Sequence, residues 1–316
     1  MSRAGSGASC RNEDRDDLAM RLMALFPRLL LLALSVWLSA NLSAQNPPTS
    51  ALTVKTSSGA VIWIDALRYG SIPESGELTV KNLSPGTHVI RARLRGKREA
   101  RQTVILSADA QLSIQLALST PADKAELSFQ TAEELREHGK HAEAITEYRN
   151  AIKLRPQGFP AARIGLARSL MSNEEYEEAV AEVRKAMREK PGLYPEAYTV
   201  IANIKRTQGF YDDAITGYRK ALTQARDFSP EAHTGLAIAY QDRNLPDEAI
   251  KHYRQAIVQA HDTEPIIYFL LGSMLERESR NKEAVEAYEK YLQLDPNSKQ
   301  ASAVRSVLKQ LKREIQ

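Results

Sequence analysis

One spacing constrains this chain more than any other feature. Alanine stands at positions 144, 179, 214, 249 and 284, a step of 35 residues each time. Four residues after each comes Tyr148, Val183, Tyr218, Tyr253 or Tyr288, and three further on Ala151, Ala186, Ala221, Ala256 or Tyr291. Small residues upstream keep the step at Ala132, Ala167, Ala202, Ala237 and Gly272, as do prolines 160, 195, 230 and 265. A repeat of this length is one supersecondary unit used many times. Within each unit the small residues let two helices approach closely, and the ring fills space that the next unit covers. Proline in the first helical turn loses no hydrogen bond and has a suitable φ already. One such hairpin cannot bury its own apolar face, so about three or more must stack.

The pattern resembles tetratricopeptide repeats across residues 125–296, in units 125–159, 160–194, 195–229, 230–264 and 265–296. In the first unit Ala132, Ala144, Tyr148, Ala151 and Pro156 match the family's small, alanine, aromatic, alanine and closing-proline positions. The resemblance implies a mainly α protein, a right-handed α-α superhelix of five hairpins. The sequence departs from the family in its step of 35, one residue above the usual one. The family's tryptophan position holds Ser128, Arg163, Tyr198, His233 and Tyr268, and Arg226 and His261 replace the closing proline. After Pro296, the face Ala301, Val304, Leu308, Leu311 and Ile315 predicts an amphipathic capping helix over 297–316.

The resemblance further implies that each first helix turns one face to a concave groove. By position that face carries Phe129, Glu133 and Arg136, then Ile164, Arg168 and Met171. Thr199, Asn203 and Arg206 follow, then Thr234, Ile238 and Gln241, and last Ile266, Phe269 and Ser273. Arg136, Arg168 and Arg206 would form a basic ladder beside Asn203. Guanidinium presents a planar fork, which suits a carboxylate or an acidic peptide. The alternative is that these are ordinary solvated arginines.

Residues 51–118 have a period of two. Val61–Asp65 (VIWID), Glu77–Lys81, Thr87–Arg93 and Gln111–Leu116 alternate or are β-branched, and Gly70, Gly76, residues 84–86 (SPG) and Gly96 punctuate them. This predicts a small antiparallel β-sandwich or open barrel between linkers at 45–50 and 119–124. Residues 59–65 (GAVIWID), Gly70 with Pro73, residues 83–89 (LSPGTHV) and Gly96 resemble a PEGA-type domain, a module of prokaryotic envelope proteins. The tetrapeptide that names that family is degraded here to residues 57–60 (SSGA), and Lys97 replaces an aromatic. If its strand continues, Arg91, Arg93, Arg95 and Lys97 share one face. They would then form an anion strip for an envelope polymer, or simply a solvated face that discourages edge pairing.

The N-terminus reads as an address. Arg21 and Arg28 precede the apolar run 29–40 (LLLLALSVWLSA) and the small-residue stretch 41–44 (NLSA). Twelve helical residues reach about 18 Å, short of the roughly 30 Å hydrocarbon core. A secretory signal cleaved after Ala44 is expected, with an uncleaved inner-membrane anchor as the alternative. Glu13, Asp14, Asp16 and Asp17 weaken a positive leader, which points to Met20 as the start. The single cysteine, Cys10, precedes the run, so neither an internal disulfide nor a lipoprotein anchor is available.

The net charge of +4 is too small to argue for nucleic acid. No phosphate loop, G-x-S-x-G, H-E-x-x-H or cysteine nucleophile is present. His138 and His141 are split by a turn, so no metal site and no cofactor is expected. The sequence reads as a non-enzymatic scaffold, exported to the periplasm or cell surface, that binds a protein or peptide. The alternative is a polymer-binding β-domain with the array as spacer or oligomerisation module.

Overall fold

The computed structural model describes residues 50–315, apart from Ala66, Ser119 and Pro121. The leader at 1–44 lies outside the described residues. The β-region contains β1 Ser50–Lys55, β2 Val61–Ile64, β3 Leu67–Ser71, β4 Glu77–Leu83, β5 Gly86–Arg93, β6 Ala100–Leu106 and β7 Gln111–Gln115. These form a sheet ordered β4-β1-β7 and another ordered β3-β2-β5-β6. The inward set, including Leu52, Val54, Ile62, Ile64, Ile90 and Ala92, is buried between them, as alternation requires. One pairing departs from the antiparallel expectation. β1 and β7 run parallel, Ala51 opposite Gln111 through Lys55 opposite Gln115. The chain crosses from β6 back to the first sheet before adding β7, and that crossover permits a parallel neighbour.

His88 locks this region internally. Its Nδ1 lies 2.5 Å from Asp65 Oδ2 and its Nε2 lies 2.7 Å from the Ser84 carbonyl. Both partners are acceptors, so both ring nitrogens donate only in the imidazolium form. The Asp65 hydrogen bond accordingly raises the His88 pKa, against the opposing effect of burial. The same carboxylate accepts from the Val89 amide at 2.8 Å.

The array contains hairpins α1 Lys124–Glu137 with α2 His141–Leu154, α3 Pro160–Ser172 with α4 Tyr176–Glu189, and α5 Pro195–Thr207 with α6 Tyr211–Gln224. α7 Pro230–Asp242 with α8 Pro246–Ala260, and α9 Ile266–Arg277 with α10 Asn281–Leu294, complete five hairpins, and α11 Ala301–Glu314 covers the end. Prolines 160, 195 and 230 stand in the first turn as expected. The amide just before each is satisfied by a side chain 30 residues on. Phe159 donates to Glu189, Tyr194 to Gln224 and Ser229 to Gln259, each at 2.9 Å. Each of these three hairpins is thereby closed end to end.

The stacking contact explains the tyrosine column. Tyr148, Tyr218 and Tyr253 are fully buried. A methyl group on Gly165 would overlap the Tyr148 ring, and one on Gly235 the Tyr218 ring. Each glycine belongs to the hairpin after its tyrosine, so at these two junctions the ring of one unit rests on bare backbone of the next, whereas Leu270 holds that register position after Tyr253. Where the column holds Val183, the glycine's register position holds Val200, and both are fully buried. The smaller side chain leaves room for a larger partner.

At three of its five places the family's tryptophan position is filled by a polar pair between the two helices of a hairpin, Ser128 with Asn150 being the first. Arg163 reaches Glu182 at 2.7 Å and Glu189 at 2.6 Å. In the fourth hairpin the buried His233 faces His252, Nδ1 to Nδ1 at 3.0 Å, while its Nε2 meets the Asp227 carbonyl at 3.2 Å. Burial lowers both histidines, His252 to about 4.

These contacts can be tested by substitution. Gly165→Ala is expected to cost about 1–3 kcal/mol by overpacking, read from urea unfolding, and Tyr148→Val in that background should recover part of the loss. An unchanged midpoint in the alanine variant would remove the ring-on-backbone contact as the spacing device. The two histidine sites should respond oppositely to pH. A lowered histidine stabilises above its ordinary value near 6.5 and loses that as pH falls toward about 4. The raised His88 stabilises below about 6.5 and loses that as pH climbs through its folded value. His252→Phe should therefore lessen the acid loss of helix, and His88→Gln the loss of β-structure in base. Equal slopes in variant and wild type would sink either assignment.

Candidate functional site

The first helices touch their counterparts in the next hairpin, α1 with α3, α3 with α5 and α5 with α7. They therefore line the inside of the curved stack. The hydroxyls of the buried tyrosines emerge on this inner side and bind polar side chains of their own hairpin. Tyr148 donates to Glu133, Tyr218 to Asn203 at 2.6 Å, Tyr253 to Gln241 at 3.1 Å and Tyr288 to Glu276 at 2.7 Å. The core of each of these hairpins thus fixes one polar group in the groove.

The three arginines do not make a free basic ladder. Arg136 pairs with Glu133 at 3.3 Å and donates to the Tyr148 hydroxyl at 3.2 Å. Arg168 makes a two-pronged bridge to Glu231, Nη1 to Oε1 at 2.6 Å and Nη2 to Oε2 at 2.9 Å, with Glu196 at 3.4 Å. Asn203 Nδ2 donates to the same Glu231 carboxylate at 3.2 Å. Burial works against both charges of this bridge, but the pairing outweighs it: Arg168 is held protonated and Glu231 sits below its usual range. Arg206 differs from the other two. Among the described residues it has no carboxylate within ion-pairing distance, and its Nε is buried without a partner.

The apolar residues divide as well. Phe129 and Ile164, expected in the groove, are buried at 6% and 2% exposure. Phe129 packs on the Phe159 ring at 5.0 Å, and Ile164 belongs to the same core. Met171, Ile238 and Phe269 remain half-buried, and Ile266 is 40% exposed. The open part of the groove therefore lies over hairpins three to five, with Arg206, Ile238, Ile266 and Phe269.

The basic strip on the β-region does not assemble. β5 ends at Arg93, and Gly96, with φ +79°, turns the chain there, so Arg95 and Lys97 leave the strand. Arg93 is sandwiched between the Trp63 and Phe129 rings, at 5.0 and 5.1 Å, and bridges Glu99 at 3.0 Å and Glu133 at 3.5 Å. Arg91 lies 3.9 Å from Glu99, and Arg95 lies 3.3 Å from Glu134. Through Glu133 and Glu134, Arg93 and Arg95 hold the β-region to α1. Gln130 reinforces the joint, accepting from the Gly96 amide at 3.0 Å and donating to the Lys97 carbonyl at 2.7 Å. The segment between the two regions is tied too, Ala122 N to Gly96 O at 3.0 Å and Thr120 O to Arg98 N at 2.9 Å.

The sequence reading missed Glu196 and Glu231 as partners of the ladder. Each follows the first-turn proline of its hairpin and so shares one register position, a signal that was available. Among the described residues, no cluster of three ligating side chains suits a metal ion, and no helix is long and apolar enough to cross a membrane.

Family models described as tetratricopeptide repeat match residues 135–204, and again 199–265 and 234–299. No curated protein matches the sequence. Among solved structures, a thermophilic TPR protein of Thermus thermophilus is 20% identical with a TM-score of 0.51, covering 59% of this chain and 98% of that one. PilF of Pseudomonas aeruginosa is 15% identical at 0.49, covering 60% and 84%. YrrB, described as a TPR protein with an unusual peptide-binding site, is 16% identical at 0.39, covering 58% and 92%. At such identities the likeness is one of fold, and the Thermus protein carries it.

Because Arg93 is 14% exposed and sits between the Trp63 and Phe129 rings, Arg93→Ala should cost about 3 kcal/mol by removing a buried partner of Glu99 and Glu133 together with both ring contacts. The joint should also loosen, so that limited proteolysis cuts faster within residues 119–124. Cutting at the wild-type rate would mean that Gln130 and the backbone ties suffice without the arginine.

Proposed function

Since this chain belongs to the tetratricopeptide-repeat family, whose members are protein-interaction scaffolds, we propose that it is a non-enzymatic adaptor of the bacterial cell envelope. Its groove takes a peptide or protein segment over hairpins three to five. The observation that carries this reading is that Arg206, which makes no ion pair among the described residues, shares the inner-face register with the incompletely covered Ile238, Ile266 and Phe269. Such a surface offers an apolar side chain a place to leave water and gives a nearby carboxylate a partner. Export rests on the leader at 20–44, a charged start followed by a short apolar run and small residues. Envelope residence rests on that leader and on the PEGA-like order of the β-region.

A polymer-binding role for the β-region has lost its best surface, because Arg91, Arg93 and Arg95 are engaged with Glu99, Glu133 and Glu134. The same pairs make the β-region an N-terminal cover for the first hairpin, a task that terminal units of a repeat array require.

The test is affinity capture from an envelope fraction with residues 45–316, set beside an Arg206→Ala, Phe269→Ala variant of equal thermal stability. Proteins retained by the first and reduced at least about tenfold with the second, as loss of about 1.4 kcal/mol implies, are the expected result. Identical recoveries would rule out the groove over hairpins three to five. Fractionation of cells expressing the full chain, with and without residues 20–44, checks export. Equal distribution of the two forms would refute it.

A further inference from the structure

The bridge from Arg168 to Glu231 joins residues 63 positions apart, from the second hairpin to the fourth, across the inner face of the third. One donor is oriented without the acceptor, and the other keeps a second carboxylate beside it. Arg168 is 22% exposed and also lies 3.4 Å from Glu196. Asn203 is oriented by Tyr218, whose hydroxyl donates to Oδ1 and so turns Nδ2 toward the same point. Two guanidinium N–H groups and one amide N–H therefore converge on one carboxylate. The acceptor is held differently. Glu231 is 45% exposed, at the first turn of α7, where a carboxylate is favoured by the helix end and hydrated if it swings away. Leaving costs Glu231 little packing, while Asn203 keeps its bond from Tyr218 and Arg168 keeps Glu196.

From this we infer that Arg168 and Asn203 form a carboxylate-binding pocket, and that Glu231 is its internal ligand, displaced when a partner's carboxylate enters. The inference rests on the groove reading above and adds the chemistry of its ligand. The pocket takes a peptide carboxylate, because a planar fork with a third donor matches two oxygens in a plane. Arg206 lies one turn beyond Asn203 on α5, and Ile238 and Phe269 follow in the next hairpins. The matching segment therefore carries an acidic group a few residues from an apolar one. While Glu231 fills the pocket, the apparent affinity is the intrinsic one reduced by the fraction of molecules in which it is open. The bridge is thus both a strut across three hairpins and a threshold that a ligand must exceed.

The carboxylate has two possible sources, an acidic side chain or a free C-terminus, and three fluorescein-labelled probes separate them. Amide-capped GSELFG offers a side-chain carboxylate, GSQLF a terminal one, and amide-capped GSQLFG neither. Fluorescence anisotropy with the full chain, Glu231→Gln and Glu231→Ala measures affinity, and helical circular dichroism with thermal melting verifies that each is folded. The expected result is that at least one charged probe binds both Glu231 variants about tenfold more tightly than wild type, the equivalent of about 1.4 kcal/mol. The neutral probe should be unaffected, and Arg168→Ala should abolish the gain. If folded Glu231 variants bind every probe no more tightly than wild type, or none at all, the internal-ligand assignment is wrong. The groove reading then stands or falls separately, by whether partner capture still depends on Arg206 and Phe269. A gain that persists in Arg168→Ala, Glu231→Ala would also overturn it, since only net charge would then be at work.

Discussion

The contact on which the array depends is a ring lying against backbone that has no side chain to spare. Tyr148 and Tyr218 each press on a glycine of the following hairpin, and Val183 meets a valine at the equivalent place. Close packing at these junctions sets the distance between hairpins, because the interior is dense and cannot absorb even a methyl group without moving something. The other constraints fit around that distance. Prolines start the first helices, alanines let the two helices of a hairpin meet, and a Glu or Gln at the end of the second helix closes three of the hairpins.

The tyrosines also connect the core to the groove. A phenol has an apolar body and a polar tip, so the group that spaces the hairpins also presents a hydroxyl on the inner face. Burial and neighbouring carboxylates push these phenols above their ordinary pKa, Tyr148 through burial and then Glu133, and Tyr288 through burial and then Glu276. They therefore stay protonated and donate throughout the physiological range. In the second hairpin Val183 supplies no hydroxyl, and there Arg168 reaches out to a side chain two hairpins away.

The helices were legible because their determinants are local and recur. Five alanines and four prolines at one step give the hairpins, their starts and their order, and the apolar face 301–315 gives the closing helix. The Glu189, Gln224 and Gln259 closures were equally periodic but went unread, since a polar residue at a helix end has no apolar neighbour to draw attention. Only β2, β4, β5 and β7 were legible as strands; β1, β3 and β6 were not, Gly70 lying inside β3 where a turn was expected. Alternation says nothing about partners, so the parallel β1–β7 pair was missed too. Groove electrostatics failed for a related reason. Three arginines at similar positions look like a ladder in one dimension, but curvature brings Glu231 to Arg168, and Arg136 turns to Glu133 of its own helix. Phe129 and Ile164 were assigned by register alone, and the neighbouring rings and helices cover them.

Stacked repeats ordinarily interact only with nearest neighbours, so that each junction is an independent link. The bridge between the second and fourth hairpins breaks that rule, and this bears on how the array can change length. Excision of 35 residues as one cassette, the length of one repeat, would keep the hairpin register but mismatch the new junction, setting Val183 against Gly235 if the third hairpin is lost. If the third hairpin were the one excised, Glu231 would inherit the place of Glu196, since both follow the opening proline of their hairpin. The strut would then have no far anchor. Gain or loss of a unit by recombination is therefore costly in the middle of this array, where one arginine counts two hairpins ahead.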